Sequence, residues 1–367
     1  MQAKRQSHCL ILLCSILILS LSLGLLILPR RSFSETENRG LAGFPTPTVS
    51  ALLSGDWARG FSDFCSDQLP GRAAFLSLCT LTEQLLGKGE QNGVLFGKEG
   101  YLIPRGEVDD PSLLEANLEA ISSLTHPLVA LAVPRHVDVL IEQYPSGFSP
   151  SKAQAVSDAI GASALLFPTE AFQGKAEYYY KTDHHLTTEG AYAVYRLLGE
   201  SLGYTPMGED FFEVEVISNR FFGTSHAKAA RLLQAPDSVT LYRYEGDSRF
   251  TVSVDNGETW AGFYRTDALK GRDHYEIFLG GNYASLCVTD SRIDGKKPRL
   301  LLIKDSFANA LIPFLAIHFD LVVLDPRYRG ASLPADLGEF DRILLLFGAD
   351  TLATDASLSR FLLRPSS

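Results

Sequence analysis

The sequence predicts an α/β fold built on a largely parallel sheet. Two observations carry that expectation. Short apolar runs alternate with amphipathic helical stretches between residues 111 and 202, and the same alternation returns from Leu300 to Phe347. The composition, 46% hydrophobic and 21% charged over 367 residues, suits a globular chain with a real core.

The elements follow in order. Residues Leu10 to Leu28 are almost wholly apolar, with Lys4 and Arg5 before them and Pro29-Arg30-Arg31 after. That is about the length a helix needs to cross a bilayer. A cleaved signal peptide would have a shorter apolar core and a small-x-small cleavage site. The residues before Pro29 are bulky and Ser32-Phe33-Ser34 matches such a site poorly, so an uncleaved anchor is expected. The expected organisation is a cytoplasmic tail at 1–9, the anchor at 10–28, a linker at 29–48 and an extracytoplasmic domain at 49–367. Basic residues flank both ends of the anchor, so charge does not set its orientation.

From Trp57 to Leu86 the apolar spacing is helical, broken at Leu69-Pro70-Gly71. Gly93 to Ile103 reads as a hairpin around Lys98-Glu99. Helices are expected at 111–124 and near 151–160, and strands at Leu128 to Val133 and Ala164 to Phe167. A further helix runs from the Thr187 N-cap to the Gly203 stop. Residues 211–290 look different. Their strand-like pieces, Phe212–Ile217, Val239–Tyr244, Phe250–Val254 and Tyr275–Leu279, are separated by turns and read as a β-rich insertion. Then come a strand at Leu300–Ile303, a helix at Ala308–His318, and strands at Leu321–Leu324 and Ile343–Phe347.

Charge and cysteine content exclude several roles. The formal net charge is −10, and removing the acid-free first 31 residues leaves 29 basic against 43 acidic residues, a balance of −14. Such a domain repels nucleic acid. Five cysteines show no metal-ligand spacing, and free buried thiols explain them better than a disulfide framework, with one Cys65–Cys79 bridge left open.

The chemistry concentrates in Asp183-His184-His185 and Lys304-Asp305-Ser306-Phe307. A serine hydroxyl needs an imidazole to take its proton, and a carboxylate to orient that imidazole. Asp183 and His185 supply acid and base from one loop; Ser306, at a strand-to-helix turn, supplies the nucleophile beside unpaired helix N–H groups. Capping alone also accounts for Asp305-Ser306. Adjacent histidines chelate poorly, so neither metal nor cofactor is expected. Gly280-Gly281-Asn282 could bring backbone and an amide to an oxyanion, or be only a turn. Tyr178-Tyr179-Tyr180 reads equally as a sugar platform or as core; Lys304, Arg135 and Arg327 could contact an anionic or carbonyl group, with solvated surface charge as the default reading.

The string Tyr180-Lys181-Thr182-Asp183-His184-His185-Leu186-Thr187-Thr188-Glu189-Gly190-Ala191-Tyr192 resembles the signature of the DHHW family of bacterial extracytoplasmic proteins. Ser66-Asp67-Gln68-Leu69-Pro70-Gly71-Arg72, the hairpin from Gly93 to Leu102, Gly280-Gly281-Asn282 and Lys304 to Asn309 occur in the family's order, over about residues 35 to 350. That family resembles the SGNH-like domains of the alginate O-acetyltransferase periplasmic proteins. The resemblance implies an SGNH-hydrolase-like three-layer sandwich with a permuted triad, acid and base preceding the serine. It implies Asp183 as acid, His185 as base and Ser306 as nucleophile, with Asn282 and Gly281 at the oxyanion and His184 and Lys304 near substrate. Leu186 stands where the signature has Trp, and Lys304 where the usual serine block has Gly. The expected function is acyl, above all acetyl, transfer to a cell-surface polysaccharide, beside a membrane-bound O-acyltransferase partner. An esterase with the same triad and a non-catalytic glycan-binding protein are the alternatives.

Overall fold

The computed structural model describes residues 2–34, 37, 39–108, 110–124, 126–290 and 297–363. It divides into two compact units, Met1–Gln91 with Ala227–Leu233, and Asn92–His226 with Gln234–Ser367. The α/β unit therefore begins at Asn92, and the helices between 49 and 85 fall in the first unit.

The first unit is helical: α1 (Gln2–Ile27), α2 (Val49–Ser54), α3 (Asp56–Asp67) and α4 (Arg72–Leu85). Within α1, His8–Ile27 has a mean hydropathy of 2.9 and none of it is buried; by length and composition this helix can cross a membrane. The Ser66–Arg72 string holds this unit together through charge. Arg39 pairs with Asp67 at 2.5 Å and Arg72 with Glu37 at 2.7 Å, and the Arg39 hydrogen bond lowers the Asp67 carboxyl to about 2.

The second unit opens with the hairpin of β1 (Val94–Phe96) and β2 (Leu102–Pro104). There follow α5 (Ser112–Ser122), β3 (Val129–Val133), α6 (Ser151–Gly161) and α7 (Thr188–Leu202). Thr187 caps α7 by accepting from Gly190 N, and Gly203 ends it in the left-handed region, both as the sequence implies. Next come β4 (Glu213–Phe221), β5 (Asp237–Arg243), β6 (Phe250–Val254), β7 (Thr259–Ala261), β8 (Ser285–Asp290), β9 (Arg299–Lys304), β10 (Asp320–Leu324) and β11 (Arg342–Gly348). Helices α8 (Ala349–Thr354) and α9 (Ser357–Leu362) close the unit.

The main sheet has seven strands in the order β7-β6-β8-β10-β9-β11-β3. The pairs β10–β9, β9–β11 and β11–β3 are parallel; β7–β6, β6–β8 and β8–β10 are antiparallel. The sheet is thus mixed rather than mostly parallel. The reason lies in the stretch read as an insertion. Only β4 and β5 form a separate ladder; Val252, Leu286 and Val288 of β6 and β8 are buried in the same core as β9 and β10, so these strands extend the main sheet. Alternate residues of β9 divide between two cores: Leu300 and Leu302 face the side covered by α7, and Leu301 and Ile303 the side with Leu114 of α5, Ile160 of α6, Leu352 of α8 and Phe361 of α9.

Three further expectations fail locally. Ala164–Phe167 makes one bridge, Leu131 to Leu166, rather than a strand. Tyr275–Leu279 is not a strand: His274–Ile277 is a single 3-10 turn, because its apolar side chains plug the core instead of lining a sheet face. Residues 308–318 are not one helix. A 3-10 turn at Ser306–Ala308 gives way to a short helix at Ile312–Leu315. The cysteines are free, but Cys79 and Cys287 are exposed rather than buried.

Candidate active site

Ser306 follows β9, a central strand, and is set by Asp305. The buried Asp305 carboxylate accepts from Phe307 N at 3.0 Å and from Gly348 N at 2.9 Å, which ties the turn to the end of β11. With only one turn of helix here, little macrodipole acts on the serine. What remains is the Ser306 amide itself, which has no hydrogen-bond acceptor among the described residues.

The loop before α7 meets this turn. Ser306 Oγ lies 2.8 Å from His185 Nε2, and His185 Nδ1 lies 2.5 Å from Asp183 Oδ1. In the neutral tautomer Nδ1–H donates to Asp183 and Nε2 accepts from the serine. Asp183 Oδ1 also accepts from the His185 amide at 2.9 Å; Oδ2 accepts from Thr224 N at 2.7 Å and from its hydroxyl at 2.9 Å. Gly223 makes this packing feasible, since a Cβ there would sit 2.2 Å from Asp183 Cβ. Asp237 fixes the other side of the loop, accepting from Lys181 N, Thr182 N and Thr182 Oγ1 at 2.6–2.9 Å.

Burial alone would raise the Asp183 pKa. The imidazoles of His185 and His184, together with the His185 hydrogen bond, overcome that and hold it well below the ordinary carboxylate value. Burial, then repulsion from His184, lowers the pKa of His185 despite the carboxylate. The resting pair is an ionised acid and a neutral base.

His184 is half-exposed; its Nδ1 lies 2.6 Å from Thr224 Oγ1, and its ring sits 3.9 Å from that of His185. The three side chains of Asp183-His184-His185 have ligand atoms within 4.8 Å of one another. The His185 nitrogens and the Asp183 oxygens are, however, taken up by the bonds just described.

Lys304 is the main correction among the site residues. It is not solvated but 3% exposed, and burial lowers its pKa to about 8. Its Nζ donates to Asn282 Oδ1 at 2.8 Å and Asn309 Oδ1 at 2.7 Å, and lies 3.5 Å from Asp325. Asn309 Nδ2 also donates to Asn282 Oδ1 at 3.1 Å, so the Asn282 amide is oriented with Nδ2 as its available donor. The turn that delivers Asn282 runs through positive φ at Leu279 (66°), Gly280 (79°) and Gly281 (115°). A buried leucine in that region is an outlier, and such strain concentrates at functional sites.

Tyr275 was read only as a strand residue. Its ring stacks on His185 with centroids 4.0 Å apart and an 8° interplanar angle, and its hydroxyl donates to Ser306 O at 3.0 Å. No sequence signal marked it, because it lies 90 residues from the histidine. Tyr179 and Tyr180 are core, which leaves Tyr178 as the half-buried ring of that string. Leu186 is 1% exposed and bridges to Tyr179, so it fills the core and offers no stacking surface. Arg135, also buried, pairs with Asp138 at 2.7 Å, and Arg327 with Asp325 at 2.7 Å.

Residues 169–324, which include Asp183, His184, His185 and Ser306, match the family model described as DHHW protein. A curated relative, "Probable alginate O-acetylase AlgJ" of Pseudomonas syringae pv. tomato, is 22% identical over 211 residues, or 51% of this chain and 52% of that protein. The chain thus spans about half the length of this relative. A DHHW family protein from Eubacterium siraeum shares the fold with a TM-score of 0.57 at 18% identity, covering 74% of this chain and 95% of its own. Bacillus cereus PatB1, solved with a sulfonyl adduct, also gives 0.57, at 17% identity over 73% of this chain and 99% of its own.

Proposed function

From a chain that carries the DHHW domain, we propose a membrane-anchored, extracytoplasmic acyl transferase whose α/β unit is an SGNH-like three-layer sandwich. It acts through an acyl-serine at Ser306. The unbroken relay from Asp183 through His185 to Ser306, at 2.5 and 2.8 Å, carries this reading.

In the first half-reaction His185 Nε2 takes the Ser306 proton as Oγ bonds to the donor's acyl carbon. Asp183 stabilises the imidazolium that forms. The Ser306 amide and Asn282 Nδ2 supply hydrogen bonds to the tetrahedral oxyanion. Collapse breaks the bond to the donor alcohol, which leaves with the proton from His185. In the second half-reaction His185 deprotonates an acceptor hydroxyl, which attacks the acyl-serine and regenerates the Ser306 hydroxyl. The name of the curated relative supports acetyl as the group and a polysaccharide as the acceptor. Helix α1 serves as the anchor, and a membrane-bound O-acyltransferase is the partner that would supply the acyl group.

The two departures from the family pattern leave the relay intact. Leu186 fills core volume, and Lys304 orients Asn282. The test is to supply an activated acetyl ester with neutral and uronate oligosaccharides in parallel and follow acetylated sugar by mass spectrometry. The reading expects product with the native chain and none with Ser306→Ala. Acetate release with no sugar product would make it an esterase; sugar acetylation surviving Ser306→Ala would refute the mechanism.

A further inference from the structure

Beyond the triad, the segment after β10 and helix α9 enclose a cavity of about 450 Å³ lined by Pro326–Ala331, Ser357, Arg360 and Phe361. Its lining contains three guanidiniums, Arg327, Arg329 and Arg360, and no carboxylate. In a chain with ten more acidic than basic residues, that local balance is opposite to the whole. Arg329 and Arg360 are exposed and make no ion pair among the described residues, although surface arginines such as Arg59 and Arg299 do. Arg327 is held differently. Its Nε and Nη2 make a fork onto Asp325 at 2.9 and 2.7 Å, which fixes the guanidinium plane and leaves its remaining N–H groups to donate elsewhere.

The cavity is linked to the strand that leads into Ser306. Lys304, two residues before Ser306, shares Asp325 with Arg327. The Asp305 carboxylate also helps keep Arg327 charged. Asp325 and Asp305 together offset Lys304 and Arg327, so the net positive charge of the cavity comes from Arg329 and Arg360. Residues 326–331 follow the carboxyl end of β10, as Ser306 follows that of its parallel neighbour β9.

We propose that Arg327, Arg329 and Arg360 form a binding site for an oxyanion, a carboxylate or phosphate group, beyond the carboxyl end of β10 in the sheet that carries Ser306. Planar, forked guanidiniums match such groups in geometry as well as charge. Two sources share this chemistry: an acidic substituent on the acceptor glycan, and a free small anion. That the ligand is the acceptor rests on the acyl-transfer reading; the existence of the site does not.

The experiment uses the full chain in detergent and three probes, each titrated by calorimetry: inorganic phosphate, trigalacturonate and neutral maltotriose. We expect the native chain and Ser306→Ala to bind an anionic probe alike. Arg329→Ala combined with Arg360→Ala should weaken that binding roughly tenfold or more, while both exposed changes leave thermal melting unaltered. Arg196→Ala, which removes a charge elsewhere on the same unit, should leave the affinity unaltered. Trigalacturonate binding more tightly than phosphate, and being displaced by it, identifies an acceptor substituent; phosphate binding at least as tightly identifies a small anion. Anion binding that ignores the double substitution, or maltotriose binding as tightly as trigalacturonate, would overturn the proposal. Retention of acyl-serine formation in that case would leave the function intact, so the two failures are separable.

Discussion

The loop that carries Asp183 and His185 is fixed by polar side chains; the turn that carries Asn282 is fixed by backbone. Asp183 accepts four hydrogen bonds, and Asp237 holds the residues just before it. The Leu279–Asn282 turn instead runs through three consecutive positive φ values, and Asn282 is tethered through Oδ1 to Lys304 and Asn309. In the proposed mechanism the first arrangement places charge where a proton moves. The second places a neutral dipole, and lets the geometry of a turn do the aiming. A region built on hydrogen-bonded carboxylates should fail sharply when one is disturbed; one built on a turn should fail by degrees.

The largest expected effect is in the loop. Asp183→Asn should cut turnover of an activated ester by ~10⁴-fold with folding retained, because the imidazole loses its oriented, charge-stabilised tautomer. Gly223→Ala places a methyl 2.2 Å from Asp183 Cβ and should approach the same loss, read by the same assay. Activity within tenfold of native in Gly223→Ala would show that the loop is not rigid.

Asn282→Ala should reduce kcat by ~10²-fold with KM little altered, as expected for a donor used mainly in the transition state. Lys304→Met should act through the same amide. The double variant should therefore be no slower than Asn282→Ala alone, and additive losses would assign Lys304 a separate role. Gly281→Ala, at φ 115°, should cost about 1–3 kcal/mol of stability in a denaturant melt.

The smallest effect is on pH dependence. Burial and the neighbouring His184 disfavour protonation of His185, so the base form persists below its ordinary value. The acid limb of kcat/KM should have its midpoint under about 6.5, the unperturbed imidazole value. His184→Ala removes the repulsion and should move that midpoint upward; a downward move would contradict this account of the pair.

The two segments also differ in how much of them could be read from sequence. Asp183-x-His185 and Asp305-Ser306 were legible because the chemistry resides in residue types at short spacing, and capping at Thr187 and Gly203 marked α7 correctly. Asn282 was legible as an oxyanion amide or as a simple turn, with nothing local to choose between the two. Lys304 was misread because a lysine at a strand end is by default solvated; of its three oxygen partners only Asn309 is near in sequence, and Asn282 and Asp325 each lie more than twenty residues away. Tyr275 was invisible for the same reason. In the fold, the apolar runs gave the four strands of the parallel half. β7 was missed because Thr259–Ala261 is too short to show a period, and β8 because the apolar Cys287 between Leu286 and Val288 hides their alternation; the place of both in the sheet depends on pairing with β6.

The central claim is a covalent acyl-serine, and intact-mass spectrometry tests it most directly. After brief exposure of the full chain to an activated acetyl ester, followed by acid quench and peptide mapping, the account predicts the mass of one acetyl group on the peptide containing Ser306. It predicts none there in Ser306→Ala, and accumulation when the acceptor is withheld. Acetyl on another residue, or turnover of the ester with Ser306 never modified, would contradict it.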